Sequence, residues 1–212
     1  MATLYYVMDP MCSWCWAFRP VLQDVVDRMP EDVAVRYVMG GLAPDSDEPI
    51  PEPMRDYLQK VWRAIANQTG ARFNFDFWTQ CRPRRSTWPA CRAVLAAGLQ
   101  GELQALEMVD AIQQAYYLQA RNPSERDTLV ALAAEIGLDR ERFEADLSSP
   151  RLEELLQIDL GLARRLEVQG FPTLVLAAGG RFHLIAQGYS EAVPILRRLQ
   201  SALEDAQATE ER

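Results

Sequence analysis

Only one histidine, His183, and one lysine, Lys60, occur among the 212 residues. A single imidazole cannot build a catalytic histidine dyad or a His-rich metal site. A single lysine leaves little room for Schiff-base chemistry. Positive charge rests instead on 21 arginines, which 30 acidic residues outnumber to give a formal net charge of −8. Neutralising phosphates needs a basic face, so no nucleic-acid partner is expected. Apolar runs fall short of the roughly 18 residues a membrane span needs, and no membrane partner is expected either. Residues 1–10 lack both the basic and the apolar segments of a secretory signal, which points to a cytoplasmic protein. In such a reducing compartment the four cysteines suit catalysis or metal binding better than structural disulfides.

What the chain does contain is a 49 % hydrophobic composition, enough to bury a core without disulfide staples. Leu4-Tyr5-Tyr6-Val7-Met8 is a β-type run stopped by Asp9-Pro10. Val21, Leu22, Val25, Val26 and Met29 then recur at helical spacing as far as Pro30. Residues 33–39 read as a second strand closed by Gly40-Gly41. Strand, helix and strand in this order open a βαβ unit with parallel neighbours. Residues 53–167 are almost wholly helical in pattern. Thr87 is the expected cap of a helix reaching Gly98, and Asp127 that of a helix over 129–136 stopped by Gly137. Gly170-Phe171-Pro172 ends the helical pattern before a strand over 173–177. Gly179-Gly180 turns that strand into a partner over 181–186, and a last helix spans about 190–206.

Cys12-Ser13-Trp14-Cys15 stands just after the first strand and at the start of the first helix. A sulfur at a helix N-terminus faces unpaired backbone N–H groups and the positive end of the helix dipole, which favours its thiolate. Two intervening residues let the second sulfur reach back and resolve a mixed disulfide formed by the first. Cys12 is therefore the expected attacking thiol and Cys15 the resolving one. A structural zinc site would need about four ligands and usually a second closely spaced pair. Cys81 and Cys91 have nine residues between them and His183 is remote, so no metal is expected.

The strand–CxxC–helix–strand start, the helical insertion, and Gly170-Phe171-Pro172-Thr173 at the entry to a hairpin together resemble the DsbA-like oxidoreductases. With Asn122-Pro123 and Trp16 added, the likeness is to their FrnE-like branch, and it covers essentially the whole chain. The resemblance implies an α/β, thioredoxin-like fold (βαβ…ββα) from residues 1–50 and 168–212, with an all-helical insertion at 51–167. It implies a protein-disulfide oxidoreductase or isomerase that needs no cofactor. Its substrate would be a cysteine-containing protein or a small thiol, glutathione among them. It also makes Pro172 a cis proline opposite the sulfurs, with Ser13, Trp14, Phe171 and Pro172 contacting substrate. Independently, a cis bond is cheap only before proline, and such a turn leaves the backbone of Phe171 able to pair with an extended substrate. Two departures stand out. No histidine lies between the cysteines, which implies a less oxidising couple than the strongest relatives. Tyr6 also stands six residues before Cys12, where thioredoxins and many relatives carry a buried acid. Asp9 is the nearest acid but has the opposite strand parity, so the acceptor of the Cys15 proton stays open.

The insertion holds a second pair, Cys81 and Cys91, on either side of an arginine run at 82–85. The stretch is either an auxiliary redox pair, an arginine-lined rim that attracts acidic substrates, or two semi-buried small side chains beside a solvated arginine run. Trp62, Trp78 and Trp88 either pave a peptide groove or belong to the core. His183 reads as a sheet position without chemistry. Two rival functions share these features. One is a glutathione-dependent isomerase or transferase of the kappa and 2-hydroxychromene-2-carboxylate isomerase type, which usually has serine where this chain has Cys12. The other is a non-catalytic peptide-binding module.

Overall fold

The protein is described here by a computed structural model covering residues 2–210. The chain runs β1 (Ala2–Met8), α1 (Ser13–Arg28), β2 (Val33–Met39), α2 (Glu52–Thr69), α3 (Phe77–Gln80), α4 (Trp88–Gly98) and α5 (Glu102–Tyr117). It continues through α6 (Arg126–Glu135), α7 (Arg140–Leu147), α8 (Pro150–Arg165), β3 (Thr173–Ala178), β4 (Arg181–Gln187) and α9 (Ala192–Glu210). The strands form one sheet in the order β2-β1-β3-β4. β1 and β2 are parallel, whereas β3 is antiparallel to both of its neighbours. The βαβ opening and the terminal ββα expected from the residue pattern are both present.

Two compact units share the chain. The first comprises Met1–Met8, Phe18–Gly40 and Asp159–Arg212, and the second Asp9–Ala17 and Gly41–Ile158. Residues 9–17, which carry the first cysteine pair, thus belong with the helices rather than with the sheet.

In the sheet unit, strand alternation sorts the side chains of β1 to opposite faces. Val7 packs with Val38 and Val175 against Leu162, Ala163 and Leu166 at the end of α8. Tyr6 faces the other way, onto Phe18 of α1, with ring centroids 6.0 Å apart. The β3–β4 hairpin turns through Gly179 and Gly180 at φ 57° and 72°, as a primed two-residue turn requires. Gly40 closes β2 because the Phe171 ring lies on its backbone; a Cβ there would sit 2.1 Å from Phe171 Cε1. Asp159 of α8 is buried, and its Oδ2 accepts the Met39 N–H at 2.9 Å, fixing the end of β2.

The helical unit is built on aromatic rings. Trp62 of α2 is 2 % exposed, stacks on Phe73 at 5.1 Å and meets Trp78, Tyr116 and Tyr117 at 4.9–5.4 Å. Trp62 and Trp78 are therefore core residues. They pave no groove, and Trp88, half-buried, donates its indole N–H to Gly41 O.

Two helix starts differ from expectation. Thr87 occupies the cap position of α4, but its hydroxyl makes no capping bond because a buried carboxylate engages it instead. Asp127 lies within the first turn of α6, whose cap position is Glu125. α7, not resolved as a separate helix by the pattern, has a working cap in Asp139, which accepts the Arg142 N–H.

Candidate redox site

Asp9 and Pro10 shape the approach to α1. The Cys12 N–H donates to Asp9 O at 3.0 Å, closing a β-turn with Pro10 at its second position, where proline's fixed φ belongs. Asp9 Oδ1 accepts the Met11 N–H at 2.8 Å inside the same turn, the bond an Asx-turn makes. Cys12 is the last residue before α1, and its carbonyl accepts the first helical bond, from Trp16 N at 3.0 Å. Cys15 falls in the first turn. Burial separates the two sulfurs: Cys12 is 8 % exposed and Cys15 completely enclosed.

No disulfide joins the four cysteines. The Cys15 thiol hydrogen-bonds the Cys12 sulfur. Burial pushes the Cys15 thiol well above the usual thiol range, and the bond to Cys12 and the negative charges of Cys12 and Asp9 push the same way. A backbone hydrogen bond from Asp9 opposes them. Cys15 therefore stays a protonated thiol at neutral pH, bonded to the sulfur of Cys12. Ser13 and Trp14 are half-buried beside them in the first turn of α1.

Behind the pair sits a buried polar cluster that sequence reasoning did not assemble. Asp9 is fully enclosed, and its Oδ2 accepts from the Leu42 N–H at 2.7 Å, the Thr87 hydroxyl at 2.6 Å and the Cys91 thiol at 3.6 Å. Tyr117, also fully enclosed, donates its hydroxyl to Met11 O at 2.6 Å and stacks on Trp16 at 5.5 Å. Trp16 in turn donates to Arg72 O at 2.9 Å. Burial pushes the Tyr117 and Tyr116 hydroxyls above the tyrosine range, with Tyr116 next and then the Cys12 and Asp9 charges adding to it for Tyr117. In the sequence Asp9-Pro10 signals only the stop of the first strand. Nothing in the sequence marked Tyr117, whose role depends on α5 packing beside residue 11.

Of the remaining sequence-named residues, Cys91 alone belongs to this cluster. Cys81 ends α3 and donates its thiol to Ala120 O at 3.1 Å; Cys91 is buried in α4 against Asp9. The two cysteines are thus held by different partners. Of the arginine run, Arg84 pairs with Asp47 at 2.8 Å and Glu125 at 3.2 Å. Phe171 and Pro172 belong to the sheet unit, where the bond between them is cis and Pro172 O accepts from Gly188 N at 2.8 Å. His183 sits on β4 opposite Leu176. Among the described residues no cluster of His, Cys, Asp and Glu could hold a metal ion, and no helix is long and apolar enough to cross a membrane.

Known proteins share this fold. The sequence profile of the thioredoxin family matches residues 5–181. A candidate protein disulfide isomerase from Nitrosomonas europaea superposes with a TM-score of 0.86 at 26 % identity, over 96 % of this chain and 98 % of the other. The cytosolic disulfide reductase DsbM of Pseudomonas aeruginosa, also solved with GSH, superposes with a TM-score of 0.72 at 30 % identity, over 99 % of this chain and 97 % of its own. The ClpXP adapter protein SpxH of Bacillus subtilis is 26 % identical over 81 % of this chain. The chain spans only 56 % of that relative, a little over half its length. The chain belongs to the thioredoxin family, in the DsbA-like form whose helices are inserted between the second and third strands.

Proposed function

We propose that the protein is a cytoplasmic thiol–disulfide oxidoreductase or isomerase working through Cys12 and Cys15. The observation that carries this reading is the asymmetry of the pair. Cys12 stands at the N-terminus of α1 and is 8 % exposed, and Cys15 is fully enclosed, protonated and hydrogen-bonded to it. Cys12 attacks a substrate disulfide, and Cys15 displaces the bound half-substrate. Ser13, Trp14, Phe171 and the cis Pro172 are the proposed substrate contacts. The domain division proposed with them places residues 1–50 and 168–212 in the thioredoxin-like part and 51–167 in the insertion. The substrate is a cysteine-containing protein or a small thiol. DsbM supports both the compartment and the thiol class, being named a cytosolic reductase and solved with GSH.

A second reading rests on the SpxH relatives, which are named as adapters of ClpXP. An adapter role would use the surface of the fold and leave the cysteines dispensable. Insulin reduction with glutathione as the electron source separates the two. The oxidoreductase reading predicts turnover well above the uncatalysed glutathione rate. Wild-type protein that adds nothing to that rate would remove the enzymatic reading.

A further inference from the structure

Two features of the sequence have no part in the proposed chemistry: the arginine run at 82–85 and the Asn122-Pro123 motif. Within the helical unit both lead to one open-sided cavity of about 460 Å³. We propose that this cavity binds a small organic anion, a molecule with a phosphate or carboxylate group on an apolar body. The inference stands apart from the redox reading and needs no cysteine.

Arg84 is the member of the run that lines the cavity. Its backbone is fixed by an antiparallel bridge to Pro49, beside which the Ile50 N–H donates to Pro83 O at 2.8 Å. The side chain is only 21 % exposed, and its Nε is buried with no hydrogen-bond partner among the described residues. Arg92 of α4 and Arg126 of α6 stand in the same walls. Carboxylates now neutralise two of the three arginines: Asp47 and Glu125 pair with Arg84, and Asp45 and Glu153 with Arg92. All four acids are about half exposed or more, Asp47 completely so. Pairs with such exposed partners contribute little, so an incoming anion can exchange with them at small cost.

The start of α6 supplies donors of another kind. Asn122 Oδ1 accepts the Ser124 N–H at 3.1 Å, and the Ser124 hydroxyl donates to Ser86 O at 2.7 Å. These bonds seat the turn that leads into α6 beside the approach to α4. Glu125, the cap residue, makes no side-chain capping bond. The N–H groups of Arg126, Asp127 and Thr128 have no acceptor among the described residues. Unpaired donors at the positive end of a ten-residue helix favour an oxyanion. Ser86 points to a ligand independently. It is 2 % exposed, lines the cavity and accepts the Ser46 N–H at 3.2 Å, yet its own proton finds no acceptor among the described residues. A buried donor left unused costs free energy that an arriving acceptor would restore.

Pro89, Leu129 and Leu147 make the apolar part of the walls. A bare inorganic ion would leave them against water, whereas a cavity of this size suits a small organic molecule. The anionic group is assigned to Arg84, Ser86 and the α6 N–H groups, and its apolar body to the three aliphatic side chains.

Calorimetric titration of the full chain with phenyl phosphate and with phenylacetate, at constant ionic strength, tests the assignment. Saturable one-to-one binding of at least one probe is expected, and the tighter of the two tells phosphate from carboxylate. Arg84→Gln should weaken it about tenfold, the ratio that goes with one charge-assisted hydrogen bond. Arg84 also holds Ser124 O, so this variant can disturb the fold. Arg126→Gln carries the test independently, because Arg126 is exposed and its guanidinium donates to Glu144 O on α7. It should weaken binding about three- to tenfold. Arg28→Gln, at the end of α1 in the sheet unit, should leave the affinity unchanged. No saturable binding of either probe up to roughly 10 mM would overturn the inference. So would an affinity unchanged in both Arg84→Gln and Arg126→Gln, or one weakened equally by Arg28→Gln, which would mark a diffuse charge effect.

Discussion

Cys12→Ser is expected to lower insulin-reductase turnover by roughly 10³-fold or more, as losing a nucleophile does when no neighbour replaces it. The other three sulfurs show why none does. Cys15 and Cys91 are wholly enclosed, and burial pushes both thiols well above the usual range, so neither presents a thiolate to a substrate. Cys81 is half-buried, but burial and then Glu125 raise it, and its thiol is bonded to Ala120 O. Cys15→Ser should behave differently, attacking once and accumulating a mixed disulfide on Cys12. The same Cys12→Ser protein tests the glutathione-transferase alternative, whose members use serine there. Glutathione-dependent isomerisation that survives in this variant, without reductase turnover, would move the chain to that class. Reductase turnover above about a tenth of wild type would show that Cys12 is not the nucleophile.

Trp62→Ala should cost about 3–5 kcal/mol of stability, the range for deleting a buried aromatic side chain. The ring is 2 % exposed and touches Phe73, Phe75, Phe77, Trp78, Tyr116 and Tyr117, so the cavity has many walls and no single neighbour can fill it. The loss should also reach the redox turn. Tyr117 stacks on Trp16 and donates to Met11 O, and it depends on Trp62 for one of its packed faces. Urea denaturation of the variant measures the cost directly. A change below about 1 kcal/mol would mean that the aromatic cluster is not the centre of this unit's core.

Local pattern announces most of the elements. The β-type run at residues 4–8, the helical spacing of Val21 to Met29, and the paired glycines at 179 and 180 each have one cheap structural solution. The CxxC motif is equally legible, because its meaning lies in its placement between a strand and a helix. What stays hidden depends on distant segments meeting. Thr87 reads as a helix cap from its neighbours, and only the approach of residue 9, across 78 positions, recruits its hydroxyl to a carboxylate. Strand parity argues against Asp9, but parity ceases to apply once the chain leaves β1 at Met8 and turns at Pro10. Trp62 and Trp78 can be read as groove or core, since a helical stripe of aromatics looks the same in either case. Burial decides between them.

The central claim is that one pair of sulfurs carries the chemistry, and a disulfide map tests it most directly. Reduced protein is titrated with oxidised glutathione, quenched in acid, alkylated and analysed by peptide mass spectrometry. The expected sequence is a glutathione adduct on Cys12 at the earliest times, followed by a disulfide between Cys12 and Cys15. Cys81 and Cys91 remain alkylated thiols while that disulfide forms. An adduct first on Cys15, or a fully oxidised protein whose disulfide excludes Cys12, would contradict the account.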